Sequence, residues 1–272
     1  MLRSCRTYDL GLRHHRYILP FLLLIMATLK DKKIIYDGDS ICEGRFKGQA
    51  ANGGAYATLI SKFTDSTFEN FAIGGGTLCS QRNRPNFPWG GKHHSLSDSI
   101  TQLPLDGDLY CFEGGVNDYW QNFELGSFDP DDYTGEPDID TVSGALEFIF
   151  RYALNNFLGK PICFVIVHKI SEYRDGVRTA DLSSKKNFAK DPYTFKECHD
   201  RLVDICKKYS IPYYDAYENS GLNGWNELHN NTFLTAGGSC TPTRGDGCHP
   251  NKEAYERYYV PQLISLFQSI IP

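Results

Sequence analysis

The sequence has no basic stripe, no CxxC pair, no P-loop, no completed G-x-G-x-x-G turn, no internal repeat and no low-complexity tract. Each absence removes a class of function. Without a basic stripe, and with a net charge of −5 spread along 272 residues, a nucleic-acid partner has no electrostatic support. Nine cysteines without CxxC pairs or an ordered Cys/His set give no zinc signature. Cys111 and Cys163 lie inside apolar runs, where a free thiol packs as a small hydrophobe, and this usage leans toward a reducing compartment. The missing phosphate loops argue against a nucleotide- or flavin-binding module.

The amino end points the other way. Arg3, Arg6, Arg13 and Arg16 precede an apolar stretch, Tyr17 to Leu29, in the order of a signal peptide or short anchor. The stretch is short for a transmembrane helix, contains Pro20 and is followed by no A-x-A-like cleavage site. Met26 offers a second start that would delete most of it. Two readings stand: a cytoplasmic protein beginning at Met26, or a secreted or membrane-anchored one with a real leader, and only in the second is a membrane a partner. Residues 1–29 are therefore set apart as leader, and residues 30–272 are read as one domain. With 41% hydrophobic residues and one compositional regime, that length suffices for one well-buried core.

From residue 33 onward, short β-rich runs alternate with longer amphipathic stretches, the pattern of a parallel sheet covered by helices. Strands are expected at Lys33 to Asp37, Thr67 to Ile73, Leu109 to Phe112, Ile162 to Val167 and Ile211 to Tyr214. Helices are expected at Tyr56 to Phe63, Ser97 to Leu103, Val142 to Phe157, Tyr193 to Tyr209 and Lys252 to Phe267. Ser97 and Asp98 suit a helix start, and Pro250 suits the first turn of the last helix. The run ICFVIV, apolar on both faces, is expected at the sheet's centre. Residues 118–140, 169–192 and 217–248 read as polar or irregular loops.

In an open parallel sheet, the loops leaving the carboxyl ends of the strands gather at one edge, so residues far apart in sequence meet there. Four such stations carry reactive groups. Gly38-Asp39-Ser40 follows the first strand, where a glycine-flanked turn can present a hydroxyl that a base would activate. Asn70 to Thr77 runs into Gly74, Gly75 and Gly76, whose backbone N–H groups can approach an anion. Gly114 to Asp118 places the amide of Asn117 at another strand end, able to donate to a developing oxyanion. Asp246-Gly247-Cys248-His249-Pro250 puts a carboxylate three residues before an imidazole, close enough to fix its tautomer as a base. Taken singly, each is equally a turn, a helix cap or an incidental loop residue.

Taken in order, GDS, N-x-A-x-G-G, G-x-N-D and D-x-x-H-P resemble the SGNH/GDSL hydrolase family over about residues 33 to 268. The first block reads GDSI, not GDSL. The resemblance implies an α/β fold, a flavodoxin-like three-layer α/β/α sandwich with a five-stranded parallel sheet. It also implies that Ser40 is the nucleophile, with His249 and Asp246 completing a triad, and that Ser40 N–H, Gly75 N–H and the Asn117 side chain form an oxyanion hole. Gly75 is chosen among the three glycines by its spacing from Asn70. The implied activity is hydrolysis of a carboxylic ester through an acyl-enzyme, with a small-molecule substrate, an acylated sugar or a lipid, and no metal or organic cofactor. The alternative on the same fold is a non-catalytic carbohydrate- or nucleotide-binding module.

Trp89, Trp120 and Trp225 fall in loops that leave strand ends, with Phe87, Tyr119 and Phe123 near the first two in sequence. They are expected to wall the substrate site, and packing of their own loops is the competing reading. His93 and His94 are expected to face solvent, as are Arg45 and Lys47. Asn230-Asn231-Thr232 matches an N-glycosylation sequon.

Overall fold

The computed structural model describes residues 29–46, 49–50, 55–82, 94–174, 177–237, 240 and 244–272. The leader expectation, residues 1–29, lies outside these residues except for Leu29, and so do Phe87, Trp89, His93 and Lys47. Among the described residues no helix is long and apolar enough to cross a membrane.

Five strands, β1 (Lys33–Asp37), β2 (Thr67–Asn70), β3 (Leu109–Glu113), β4 (Ile162–Ile166) and β5 (Tyr213–Asp215), form one sheet in the order β2-β1-β3-β4-β5. Every pairing is parallel, with Ile34 opposite both Phe68 and Leu109, and Cys111 opposite Cys163. This is the doubly wound order of flavodoxin-like folds, whose switch point lies between β1 and β3. The fold class matches the expectation, but the centre does not: β3 is central and β4 lies next to the edge strand β5. Both strands are buried along their whole length, so apolar content could not separate them.

Helices cover both faces. Tyr56–Thr64 packs with Val260–Ile270 on one side, and Val142–Asn156 packs with Phe195–Lys208 on the other. Aromatic rings lock the layers: Tyr56 stacks on Tyr259 at 5.9 Å and meets Tyr36 of β1 edge-on at 5.8 Å. On the opposite face Phe150 meets Phe164 of β4 edge-on at 5.8 Å. Such pairs add about 0.5–1.5 kcal/mol each beyond the area they bury.

Several local expectations are corrected. The helix expected from Ser97 begins at Leu96, because the Ser95 hydroxyl, not that of Ser97, accepts from the Asp98 N–H, and it passes into a 3-10 turn at Ile100–Gln102. Pro250 lies outside the last helix, which Asn251 caps. That helix is not uniform: Tyr255–Tyr259 is a π turn just before Val260 and Pro261. Pro261 cannot donate to the carbonyl four residues back, and a π turn absorbs the missing bond. The supposed loop 169–192 carries an antiparallel hairpin, Ser171–Arg174 with Val177–Asp181. Residues 217–248 include the helix Glu227–Phe233, and 118–140 begins inside the helix Val116–Trp120.

Candidate active site

β1 stops at a buried carboxylate, Asp37, which accepts from the Gly38 N–H at 2.9 Å and the Ser99 hydroxyl at 2.6 Å. It also lies 2.7 Å from His94 Nε2. His94 is thus buried against the turn it braces, contrary to the expectation that it faces solvent; the carboxylate provides the partner that a loop histidine normally finds in water. Asp39 then caps the short helix Ser40–Glu43, its carboxylate accepting from Ile41 N at 2.8 Å. The turn and the helix that carries Ser40 are therefore one structure. A Cβ at Gly38 would meet Cys42 Cβ at 2.7 Å and Glu113 Oε2 at 2.8 Å, so only glycine fits there.

Ser40 Oγ lies 2.9 Å from His249 Nε2, and His249 Nδ1 lies 2.7 Å from Asp246 Oδ2. The other oxygen of Asp246 accepts from the backbone N–H groups of Cys248 (3.0 Å) and His249 (2.9 Å). Burial pushes the Asp246 carboxyl up, but the imidazole and these N–H groups outweigh it and hold the carboxyl below its usual range. The loop is fixed from beneath by Asn230, whose Oδ1 accepts from Gly247 N at 2.7 Å and whose Nδ2 donates to Gly245 O at 3.2 Å. Asn230 is fully buried, so the sequon serves as loop scaffolding. Gly237 is a further residue that the sequence did not flag. A Cβ there would overlap Asp246 Oδ2, lying 2.5 Å from Asp246 Cγ and 3.0 Å from His249 Nδ1.

Behind this pair, His168 is wholly buried. Its backbone N–H donates to the Tyr259 hydroxyl at 3.3 Å, and that hydroxyl lies 2.7 Å from Nδ1. Burial, then the charge of His249, lowers its pKa to about 3, against smaller opposing effects of Asp246 and the Cys248 backbone. The ring is neutral at pH 7.

The glycine-rich loop after β2 is pinned at several points. Gly74 N donates to Glu43 Oε2 at 2.8 Å, and Asn70 bridges Cys42 O (3.0 Å) and Ala72 N (3.1 Å). Gly75 takes φ +87°, which glycine adopts without steric cost. Among the described residues, neither the Gly75 N–H nor the Ser40 N–H donates to a protein acceptor. After β3, Asp118 is buried and accepts from Leu78 N (3.0 Å) and Cys79 N (2.9 Å), tying the Asn117 turn to the glycine loop. Asn117 Nδ2 donates to Asp39 Oδ2 at 3.1 Å and to Gly76 O at 3.0 Å. Three of the four stations thus meet through side chains at the switch point between β1 and β3, and the fourth brings His249 to Ser40.

Glu113, hidden in the apolar run of β3, is the least expected member. It is fully buried, and its Oε2 accepts from Asp39 N at 3.1 Å. Burial and the charge of Asp39 hold its carboxyl well above the usual range. Burial raises Asp39 to about 6, with the Ile41 N–H, a hydrogen bond from Glu113 and the charge of His249 opposing. Of the tryptophans, Trp120 is half-buried and edge-on to Tyr119 at 5.8 Å, while Trp225 is 45% exposed.

A family model described as GDSL-like lipase/acylhydrolase matches residues 37–259. A search of curated proteins finds no match. Solved structures resemble the chain in fold. A protein from Lactobacillus plantarum is 19% identical with a TM-score of 0.66, over 88% of this chain and 98% of its own. A protein described as a possible lipase from Chitinophaga pinensis is 15% identical with a TM-score of 0.63, over the same shares. The family model takes in the serine turn, the glycine loop, the Asn117 turn and the histidine loop alike: the chain belongs to the GDSL-like lipase/acylhydrolase family, hydrolases that act on esters.

Proposed function

We propose that this protein is a serine esterase that cleaves carboxylic esters of small molecules through an acyl-enzyme on Ser40. The observation that carries the reading is the unbroken chain Ser40 Oγ, His249 Nε2, His249 Nδ1, Asp246 Oδ2, with contacts of 2.9 and 2.7 Å. A serine hydroxyl is inert at neutral pH until a base takes its proton, and a base needs its second nitrogen held by an acceptor. The first condition is met by residues 209 positions apart, the second by Asp246, three positions before the histidine.

In the first half-reaction Ser40 Oγ adds to the ester carbonyl carbon while its proton passes to His249 Nε2. The tetrahedral oxyanion is received by the N–H groups of Ser40 and Gly75 and by the Asn117 amide. The intermediate collapses, the C–O bond to the alcohol breaks, and His249 returns the proton to the departing oxygen. Water then repeats the cycle on the acyl-enzyme, releasing the acid and restoring Ser40. Asp246 stays ionised throughout and steadies the imidazolium. Trp120 and Trp225 are assigned to the substrate walls, where aromatic faces suit sugar rings or acyl chains; Trp89 shares that assignment from its sequence position alone.

The test is a panel of p-nitrophenyl esters of rising chain length beside acetylated sugars, assayed with wild type and Ser40→Ala. Turnover that vanishes in Ser40→Ala supports the reading. A steep preference for acetyl would assign a carbohydrate deacetylase, and tolerance of long chains a lipid acylhydrolase. A fully active Ser40→Ala enzyme would remove the nucleophile from the account.

A further inference from the structure

Resting on that reading, the geometry under the nucleophile supports a second assignment. We propose that Asp39 and Glu113 act together as positioning residues, holding the Asn117 amide with its nitrogen, not its oxygen, at the oxyanion site. The nitrogen sits between Asp39 Oδ2 (3.1 Å) and Gly76 O (3.0 Å). Asp39 and Gly76 adjoin Ser40 and Gly75, the two residues whose N–H groups complete the proposed hole.

The argument turns on what an asparagine amide can do in this place. Its two ends have nearly the same shape and opposite hydrogen-bonding character. Two acceptors face the nitrogen, so a flip would set Oδ1 against a carboxylate and a carbonyl and leave both unpaired in a dry site. The lock holds only while Asp39 remains an acceptor. Asp39 and Glu113 are both fully buried, and two negative charges so close in a low-dielectric site would be prohibitive, so the pair holds one proton. Asp39 already accepts from Ile41 N and Asn117 Nδ2, whereas Oε1 of Glu113 has no hydrogen-bond partner. Two donors on Asp39 against the single Asp39 N–H on Glu113 favour the charge on Asp39 and the proton on Glu113. Glu113 thus keeps Asp39 ionised, and Asp39 keeps Asn117 oriented. In the resting state both Asn117 N–H groups are engaged, so an arriving oxyanion takes the one resting on Gly76 O while the Asp39 contact continues to hold the amide.

A double-mutant cycle with Asn117→Ala tests this. Asn is as good a helix cap as Asp, so Asp39→Asn keeps the turn while placing a donor against the Asn117 nitrogen. Asp39→Asn is expected to lower kcat about 10²-fold with KM little changed, the scale of losing one oxyanion donor. In the Asn117→Ala background the same substitution should cost no more than about twofold, because the group it acts through is gone. Glu113→Met, which fills the volume without donating, serves in the same cycle and carries the test should Asp39→Asn not fold; thermal midpoints establish which variants are folded. Losses that multiply in the Asn117→Ala background, or a wild-type kcat in folded Asp39→Asn, would overturn the assignment. Ser40→Ala separates the two levels. If it is inactive while the cycle is additive, only the positioning role fails; if it is active, the esterase reading itself fails.

Discussion

Gly237→Ala adds one methyl group and is expected to disable the enzyme. The added carbon would lie 2.5 Å from Asp246 Cγ, where non-bonded carbons keep about 3.5 Å or more. The same carbon overlaps Asp246 Oδ2 outright, so the carboxylate must retreat by well over about 1 Å, which takes Oδ2 from its 2.7 Å contact with His249 Nδ1 to outside hydrogen-bond range. Without that acceptor the imidazole loses its fixed tautomer, a defect on the order of 10⁴-fold in kcat, or roughly 5 kcal/mol of transition-state stabilisation. The assay is steady-state hydrolysis of p-nitrophenyl acetate by wild type, Gly237→Ala, Asp246→Ala and the double variant, with thermal midpoints measured alongside. Gly237→Ala should be nearly as slow as Asp246→Ala while remaining folded, and the double variant no slower than Asp246→Ala. A Gly237→Ala enzyme within tenfold of wild type would refute the steric argument.

Asn117→Ala should stay folded, since its neighbours are polar loop atoms, but lose about 10²- to 10³-fold in turnover; undiminished turnover removes Asn117 from the mechanism. His168 makes stability depend on pH. Its folded pKa of about 3 lies below the 6.5 of a free imidazole, so between those values the unfolded chain binds a proton that the folded one refuses. Its contribution is present above pH 6.5 and is lost as the pH falls, by about 1.4 kcal/mol per unit. Urea unfolding at pH 7 and pH 5 should give a difference roughly 2 kcal/mol larger in wild type than in His168→Gln, and equal differences would contradict the buried neutral ring. Lys208 is a buried cation whose ammonium donates to Asp129 O (2.7 Å), Asp132 O (2.6 Å) and Glu147 Oε1 (2.6 Å). Lys208→Met should lower unfolding free energy by about 1–2 kcal/mol, because it takes the nearer of two cations from Glu147, leaving Arg151 at 3.6 Å, and removes the donor of two carbonyls; a loss below about 0.5 kcal/mol would mark the contact as superficial.

What the sequence made legible was the part with a short-range signature. Short β-rich runs between longer amphipathic stretches placed all five strands, and glycines at the strand ends marked the loops that meet at the sheet edge. Asp246 and His249 were readable because three residues separate them, and the order of the four blocks supplied the rest. Groups whose role depends on a partner distant in sequence stayed hidden. Glu113 looks like the end of an apolar strand until Asp39 is folded against it. His94 resembles a solvent-facing loop residue until Asp37 is placed beneath it. Gly237 has no local signature, because what forbids a side chain there is a carboxylate nine positions later. The π turn at Tyr255–Tyr259 was hidden for a different reason, since the apolar spacing of the last helix runs through it.

The most direct test of the central claim is mass spectrometry of the folded protein after reaction with a fluorophosphonate. Wild type should gain a single adduct, mapped by peptide fragmentation to Ser40, with turnover lost in proportion to labelling, and Ser40→Ala should gain none. Folded wild-type protein that stays unlabelled, or that carries its adduct on another residue while Ser40 remains free, would contradict the account.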